Sequence, residues 1–415
     1  MKYHFRQTAV RIHRWLGLII AGFLLSAGMT GAVLAWSDEL EGLINPGLFK
    51  VDPVAGSQAM QDPLQLLPLV QARYPATEIL RVPLAQSRER ALIFGLTLQQ
   101  KDGEPVYEQV FVDPYRGQIL GSRHWGDIRQ GVKNLMPFVY RFHYSLALGP
   151  LASTVFGIVA VLWTLDCFAG VYLTFPAPQR KAARQDAPSA GSTRKSWLRR
   201  WLVSWKIRAT GGGYKLMFDL HRATSLWLWA MLWVLAWSSV SFNLPQVYTP
   251  VMKALFASQT EPAASHLPAR AIAQAKPDWF AARAQGRKLM GLLAQKHGFT
   301  ILEEDSIRYD PRTAQYSYSV RSSRDVSQRW GSTQVFFDGQ SGIYRGMWLP
   351  SGVASGDTIQ SWLTSLHMAA LGGVAFKSFI SLVGLATAML SVTGLVIWWK
   401  KRKGRLKSKP GSRKV

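Results

Sequence analysis

The sequence predicts a membrane protein: a four-helix transmembrane bundle built from two pseudo-repeats, with two α+β insertions outside the bilayer. Three observations carry this reading. Apolar residues make up 48% of the 415 residues, yet the formal net charge is +25, because apolar and basic blocks alternate along the chain. Long apolar segments with a histidine at their head recur through the sequence, led by His13, His143, His221 and His367. The two halves also match in plan. VFVDPYRGQILG in the first lines up with VFFDGQSGIYRG in the second, and His-Arg opens the first span of each, at His13-Arg14 and His221-Arg222. Repeats of this kind are a common way of building a membrane bundle.

The elements follow in order. Residues 1–36 hold a basic N-terminus and the first span, Ile12 to Trp36, about 25 residues or roughly 37 Å of helix, enough to cross with tilt. Its flank is basic before (Lys2, Arg6, Arg11, Arg14) and acidic after (Asp38, Glu39, Glu41), which places the N-terminus in the cytoplasm. Its length marks it as a retained helix, not a cleaved leader. Residues 37–140 form the first insertion. PLQLLPLVQARYP has a helical period, and VYEQVFVDPYRGQILG reads as strand, turn, strand, with Pro114 fixing φ and Gly117 supplying a positive φ.

Residues 141–175 are the second span, which Pro150 kinks or divides. Residues 176–215 form a basic cytoplasmic loop (Arg180, Lys181, Arg184, Arg194, Lys195, Arg199, Arg200). The third span, 216–243, is dense in tryptophan (Trp227, Trp229, Trp233, Trp237). Residues 244–360 form the second insertion, with a helix over WFAARAQGRKLMGLLAQKHG and then strands. The last span, 361–399, ends at Trp398-Trp399, and a basic cytoplasmic tail occupies 400–415. Both termini therefore face the cytoplasm, as expected of a multi-pass membrane protein.

Charge and cysteine content narrow the function classes. The basic residues cluster beside the spans, so positive-inside topology accounts for them, and no nucleic acid is expected as a partner; the lipid bilayer is. The single cysteine, Cys167, lies within a span, so the insertions carry no disulfide. No nucleotide-binding fingerprint is present. A redox role would need a separate electron donor, a quinol or a cytoplasmic reductase.

A lone histidine beside arginine at a helix end is commonly an interfacial anchor. Four at equivalent repeat positions point to ligands, with His13 and His221 paired on the cytoplasmic side and His143 and His367 on the outer side. Two neutral imidazoles saturate a haem iron for electron transfer, and the absence of CxxCH excludes covalent haem. The expected cofactors are two haem b. Arg14, Arg141 and Arg222 are candidate propionate contacts, with snorkelling to headgroups as the alternative. Metal transport is the rival chemistry, but it wants carboxylates or thiolates in the spans, where only Asp166 and Cys167 stand. Asp166 reads equally as a ligand contact, a proton relay or a polar helix–helix tie. Glycines such as Gly28, Gly31, Gly170 and Gly394 permit close helix approach or make room for a flat macrocycle.

HRWLGL at His13, VFVDPYRGQILG, FHYSLALG at His143, DLHR at His221, LHMAALGG at His367 and SVTGLVIWW together resemble the PepSY-associated transmembrane helix family over nearly the whole chain. HRATSLW at His221 departs from it in lacking the glycine of HRWLGL. The resemblance implies that both insertions are PepSY-like and periplasmic. Within the family, this layout resembles that of inner-membrane ferric-siderophore reductases; the resemblance implies a place in a bacterial inner membrane and two haems, with the four histidines as their ligands.

The function so implied is a haem b-dependent oxidoreductase for iron acquisition, reducing Fe(III) to Fe(II) in a ferric siderophore at the periplasmic face. Two alternatives remain open: a PepSY-type membrane sensor or regulator without haem, and a haem reductase for another periplasmic acceptor. Trp125, Tyr140, Trp330 and Trp348 are candidate aromatic contacts for the acceptor, with core packing as the commoner role for each.

Overall fold

The structure, a computed structural model, describes residues 2–53, 59–75, 77–98, 106–177, 196–210, 212–260 and 277–407. Arg180, Lys181, Arg184, Arg194 and Lys195 of the basic loop, and the tail beyond 407, lie outside the described residues. In chain order the helices that matter here are α1 (Lys2–Leu34), α2 (Leu135–Ser145), α3 (Pro150–Thr174), α4 (Gly213–Trp227), α5 (Trp229–Asn243), α6 (Trp279–His297), α7 (Ser355–His367) and α8 (Gly373–Lys407). The strands are β1 (Thr77–Pro83), β2 (Leu92–Leu98), β3 (Val106–Asp113), β4 (Gln118–His124), β5 (Ile301–Asp310), β6 (Gln315–Ser322), β7 (Thr333–Asp338) and β8 (Tyr344–Trp348).

The chain divides into two units. One holds Met1–Ala35, Phe142–Tyr248 and Ser378–Val415; the other holds Trp36–Arg141 and Thr249–Lys377. The first is the membrane unit. Segments of α1, α3 and α8 are long and apolar enough to span, and α4 with α5 makes a fourth crossing if the bent pair is one span. This is a multi-pass membrane protein.

The spans differ from the expected ones at their breaks. The stretch 141–175 is two helices, not one. Leu146 and Ala147 take φ of 50° and 58° and Gly149 takes 89°, and α3 then restarts with Pro150 in its first turn, where the missing N–H costs nothing. The last span breaks in the same way after His367, at Ala369 (φ 50°), Gly372 (58°) and Gly373 (55°). His143 and His367 thus close short helices ahead of the spans they were expected to open. The third span bends by 72° between α4 and α5. No glycine or proline marks that bend. Instead the indole N–H groups on either side donate to backbone carbonyls, Trp227 to Trp205 (3.1 Å) and Trp229 to Cys167 (3.0 Å).

Two close helix contacts hold the membrane unit. α1 meets α8 at Gly28 and Gly384, where a Cβ on either residue would stand 2.6–2.7 Å from the other's carbonyl oxygen. The Ser381 hydroxyl donates to the Ala32 carbonyl beside them (2.8 Å). Small residues at such crossings let backbones approach, which is how helices associate where no hydrophobic drive exists. α3 meets α5 at Gly157 against Asn243–Leu244, and Ser153 Oγ donates to Asn243 Oδ1 (3.0 Å). Cys167 is buried against Leu232 and Val383 and is a packing residue here.

The second unit is one antiparallel sheet of eight strands, in the order β4-β3-β2-β1-β5-β6-β7-β8. Two separate insertions were expected. They merge because β1 pairs with β5 (Arg81↔Arg308, Val82↔Ile307, Pro83↔Ser306), which removes an exposed edge from each half. Alternate residues point to one face, and there Phe94, Leu96, Val110, Val112, Ile307, Tyr316, Tyr318, Val335 and Phe337 form the core beneath α6. Gly286 of α6 lies so near Tyr318 that a Cβ would stand 2.5 Å from its Cγ.

Both outer hairpins turn on an aspartate. Asp113 Oδ1 accepts from the Tyr115 N–H (2.8 Å), and Gly117 closes the turn at φ 60°. Asp338 Oδ1 accepts from the Ser341 N–H (2.9 Å), and Gly342 closes at φ 67°. The sheet is tied to α6 through Glu304, which accepts from Arg283 Nε (3.0 Å), Arg287 Nε (2.9 Å) and Tyr318 Oη (2.7 Å). Burial alone would raise the Glu304 carboxyl. The two guanidiniums and the phenol overcome it and hold the pKa at about 2.

Candidate functional site

The membrane unit brings His13 of α1 and His221 of α4 together. Their ring centroids lie 6.2 Å apart and their planes are inclined at 60°. One metal ion between two ring nitrogens, each at about 2 Å, needs a centroid separation of roughly 6 Å. Each ring is held from behind. His13 Nδ1–H donates to Asp166 Oδ1 of α3 (2.8 Å). His221 Nδ1–H donates to the Leu390 carbonyl (3.1 Å) and to Thr393 Oγ1 (3.0 Å), both on α8. A carboxylate and a carbonyl only accept, so each Nδ1 carries a proton, and in the neutral ring Nε2 is the nitrogen left to act as a ligand. Ligating histidines take this tautomer when their other nitrogen is so engaged.

His143 shows the same arrangement at a second level. Its Nδ1 meets Thr30 Oγ1 of α1 at 2.9 Å, and the Ala27 carbonyl is a further partner of the ring. The Thr30 hydroxyl spends its own proton on the Ser26 carbonyl (2.7 Å), so towards the imidazole it accepts. Thr393 does likewise, donating to the Met389 carbonyl (2.8 Å). The stretch of α1 from His13 to Thr30 is roughly 25 Å long at 1.5 Å per residue, so the two levels stand far apart along one helix.

A glycine accompanies each of these rings. A Cβ on Gly31 would stand 3.1 Å from His143 Cε1, one on Gly394 3.3 Å from His221 Cε1, and one on Gly170 3.7 Å from His13 Cε1. Gly31 and Gly394 directly follow Thr30 and Thr393, while Gly170 lies one helical turn beyond Asp166. The threonine or aspartate orients the imidazole, and at Gly31 and Gly394 the glycine leaves room for its ring. Sequence reasoning found the histidines and noted these glycines, but it gave Thr30 and Thr393 no role. The Thr-Gly step repeated in α1 and α8 is the signal that marks them.

His367 closes α7 in the second unit. Of the candidate propionate contacts, Arg14 lies over the Trp15 ring (5.3 Å), and its buried Nε has no hydrogen-bond partner among the described residues. The same holds for Arg222 Nε, although Arg222 Nη2 donates to Asp219 Oδ1 (2.9 Å) and to the Val203 carbonyl (3.0 Å). Each of these arginines directly follows a histidine of the pair. Arg141 belongs to the sheet unit, where it donates to the Gly126 carbonyl (3.1 Å). Trp125 and Tyr140 pack edge to face in that unit, at 5.7 Å.

Among the described residues, no group of three or more His, Cys, Asp or Glu is placed to hold a metal ion by itself. Two nitrogens from the protein, a glycine beside each ring and an orphaned guanidinium nitrogen next to each histidine fit a planar, anionic metal macrocycle.

The chain matches the PepSY-associated TM region family over residues 10–401. No curated protein matches it.

Proposed function

This chain belongs to the PepSY-associated TM region family, and on that premise we propose that it is a two-haem electron conduit of a bacterial inner membrane. It would reduce a ferric chelate, a ferric siderophore first among them, at the periplasmic face. The observation that carries the reading is the His13–His221 pair, with rings 6.2 Å apart and both Nδ1 atoms bound from behind. Haem b, when bound, supplies a one-electron iron couple.

The residues of this chain do the rest. His13 and His221 would give the axial nitrogens of one haem, and Asp166, Thr393 and the Leu390 carbonyl fix their tautomer and tilt. Arg14 and Arg222 would receive its propionates. By the sequence repeat, His143 and His367 would hold the second haem, with Thr30 orienting His143. Two imidazoles held for each haem would leave no site for oxygen, which suits electron transfer. Two levels along α1 divide a crossing of about 30 Å into shorter steps.

The balance at the acceptor is one electron per iron: Fe(III) in the chelate becomes Fe(II), and a quinol or a cytoplasmic reductase is oxidised on the other side. Hard oxygen donors hold Fe(II) less tightly, so iron is released. Both termini would then be cytoplasmic, the repeats would lie about a pseudo-two-fold axis along the membrane normal, and the PepSY-like sheet would offer the docking surface.

The test is reduction across vesicles. Proteoliposomes carry a reductant inside and a ferric hydroxamate with a ferrous-specific chromophore outside. The protein is expected to produce colour, and His13→Ala and His143→Ala to abolish it. Intact protein that holds haem and passes no electrons to any ferric chelate points to another periplasmic acceptor. Protein that folds without haem points to the sensor reading.

A further inference from the structure

The partners behind the imidazoles differ in charge. His221 donates to a carbonyl and a hydroxyl, and His143 meets a hydroxyl and the Ala27 carbonyl. His13 donates to a carboxylate, Asp166 Oδ1, at 2.8 Å, and the Asp166 side chain is 10% exposed. A carboxylate in a span is costly and persists where it has a task. Asp166 also stands one turn before Gly170, which faces His13 Cε1, so α3 presents both residues to the same ring.

We propose that Asp166 is a positioning residue that sets the electronic character of the His13–His221 pair and makes that centre the more reducing for its presence. The inference rests on the haem reading above. The ferric state carries one more positive charge than the ferrous state. A carboxylate on the far nitrogen of an axial imidazole draws on its proton, makes the ring a stronger donor and stabilises the higher charge. In a low-dielectric interior this effect is weakly screened. A hydroxyl or a carbonyl, as at His221, orients the ring without a net charge. A more reducing centre at the His13 level favours electron flow away from it, towards the level of His143.

A plain tether between α1 and α3 would also hold His13, and the two roles separate in one experiment. Asp166→Asn keeps an oxygen that can accept from Nδ1–H and removes the charge. Purified wild-type, D166N and D166E proteins are titrated spectroelectrochemically in detergent, with haem counted per chain. D166N is expected to move one of two reductive steps upward by at least tenfold in the ferric–ferrous equilibrium, about 59 mV for one electron, and to leave the other in place. D166E, which keeps the charge, is expected to stay near the wild type. If D166N sheds one haem, Asp166→Ser, which offers a hydroxyl like that of Thr393, is read in the same way. Two haems retained with neither step moved overturns the proposal and leaves the haem reading standing. A wild-type protein without haem overturns both.

Discussion

Thr393 accepts from His221 across a helix–helix contact at 3.0 Å, as Thr30 accepts from His143 at 2.9 Å, and each threonine is followed by the glycine that faces the same ring. Both hydroxyls are turned by their own helix, since each donates to a carbonyl one turn back. Replacing either threonine by valine keeps the shape and removes the acceptor. Partners of metal ligands typically carry 10–100-fold in affinity. Thr30→Val and Thr393→Val are therefore expected each to weaken retention of one haem by about that factor, measured as haem per chain during dilution in detergent.

The three glycines grade the tolerance of each ring. Gly170→Ala would place a Cβ in ordinary contact with His13, at 3.7 Å, and is expected to keep full haem content. At Gly31 the Cβ would stand 3.1 Å from His143, so the ring must shift. Gly31→Val, which also adds two methyl groups, is expected to lose one haem. Haem content and the reduced absorption spectrum of the two variants check the order.

Gly28 and Gly384 test the packing independently of any cofactor. An added Cβ would meet a backbone oxygen at 2.6–2.7 Å, and backbone cannot turn aside as a flexible side chain does. Gly28→Ala should force α1 and α8 apart and cost about 1–3 kcal/mol, the usual range for overpacking. Thermal unfolding of the apo protein in detergent is the measurement, with Gly22→Ala, which meets nothing within 4 Å, as the control.

In the sheet unit Glu304 sets a pH dependence. Its pKa falls from the ordinary 4.5 to about 2, through Arg283, Arg287 and Tyr318 acting against burial. A depressed folded value means that the stabilisation is complete above about 4.5 and is lost as pH falls towards 2. Unfolding temperatures followed from pH 6 to pH 2 should drop more steeply for the wild type than for Glu304→Gln, which should start lower and decline less.

Much of this was legible in the sequence, and for local reasons. The spans follow from apolar length, and the hairpins at Asp113 and Asp338 from turn chemistry that needs only neighbouring residues. The histidines stood out because they recur at matching places. What stayed hidden is non-local. The β1–β5 pairing joins strands more than 200 residues apart, and nothing in either strand names its partner. The bend at Leu228 depends on carbonyls of Trp205 and Cys167, far along the chain, and carries no glycine or proline. The breaks after His143 and His367 were half visible, in Pro150 and in Gly372-Gly373. Thr30 and Thr393 were invisible as partners because a threonine in a span ordinarily satisfies its hydroxyl within its own helix. They do that too, and use the remaining lone pair for the imidazole.

The central claim is that paired histidines hold haem, and the absorbance spectrum of the detergent-purified protein tests it most directly. Oxidised and dithionite-reduced spectra are recorded for the wild type, His13→Ala and His143→Ala, with haem counted per chain. The account predicts six-coordinate, low-spin haem at about two per chain, with one lost in each variant. A protein that folds, keeps its unfolding transition and carries no haem would contradict it.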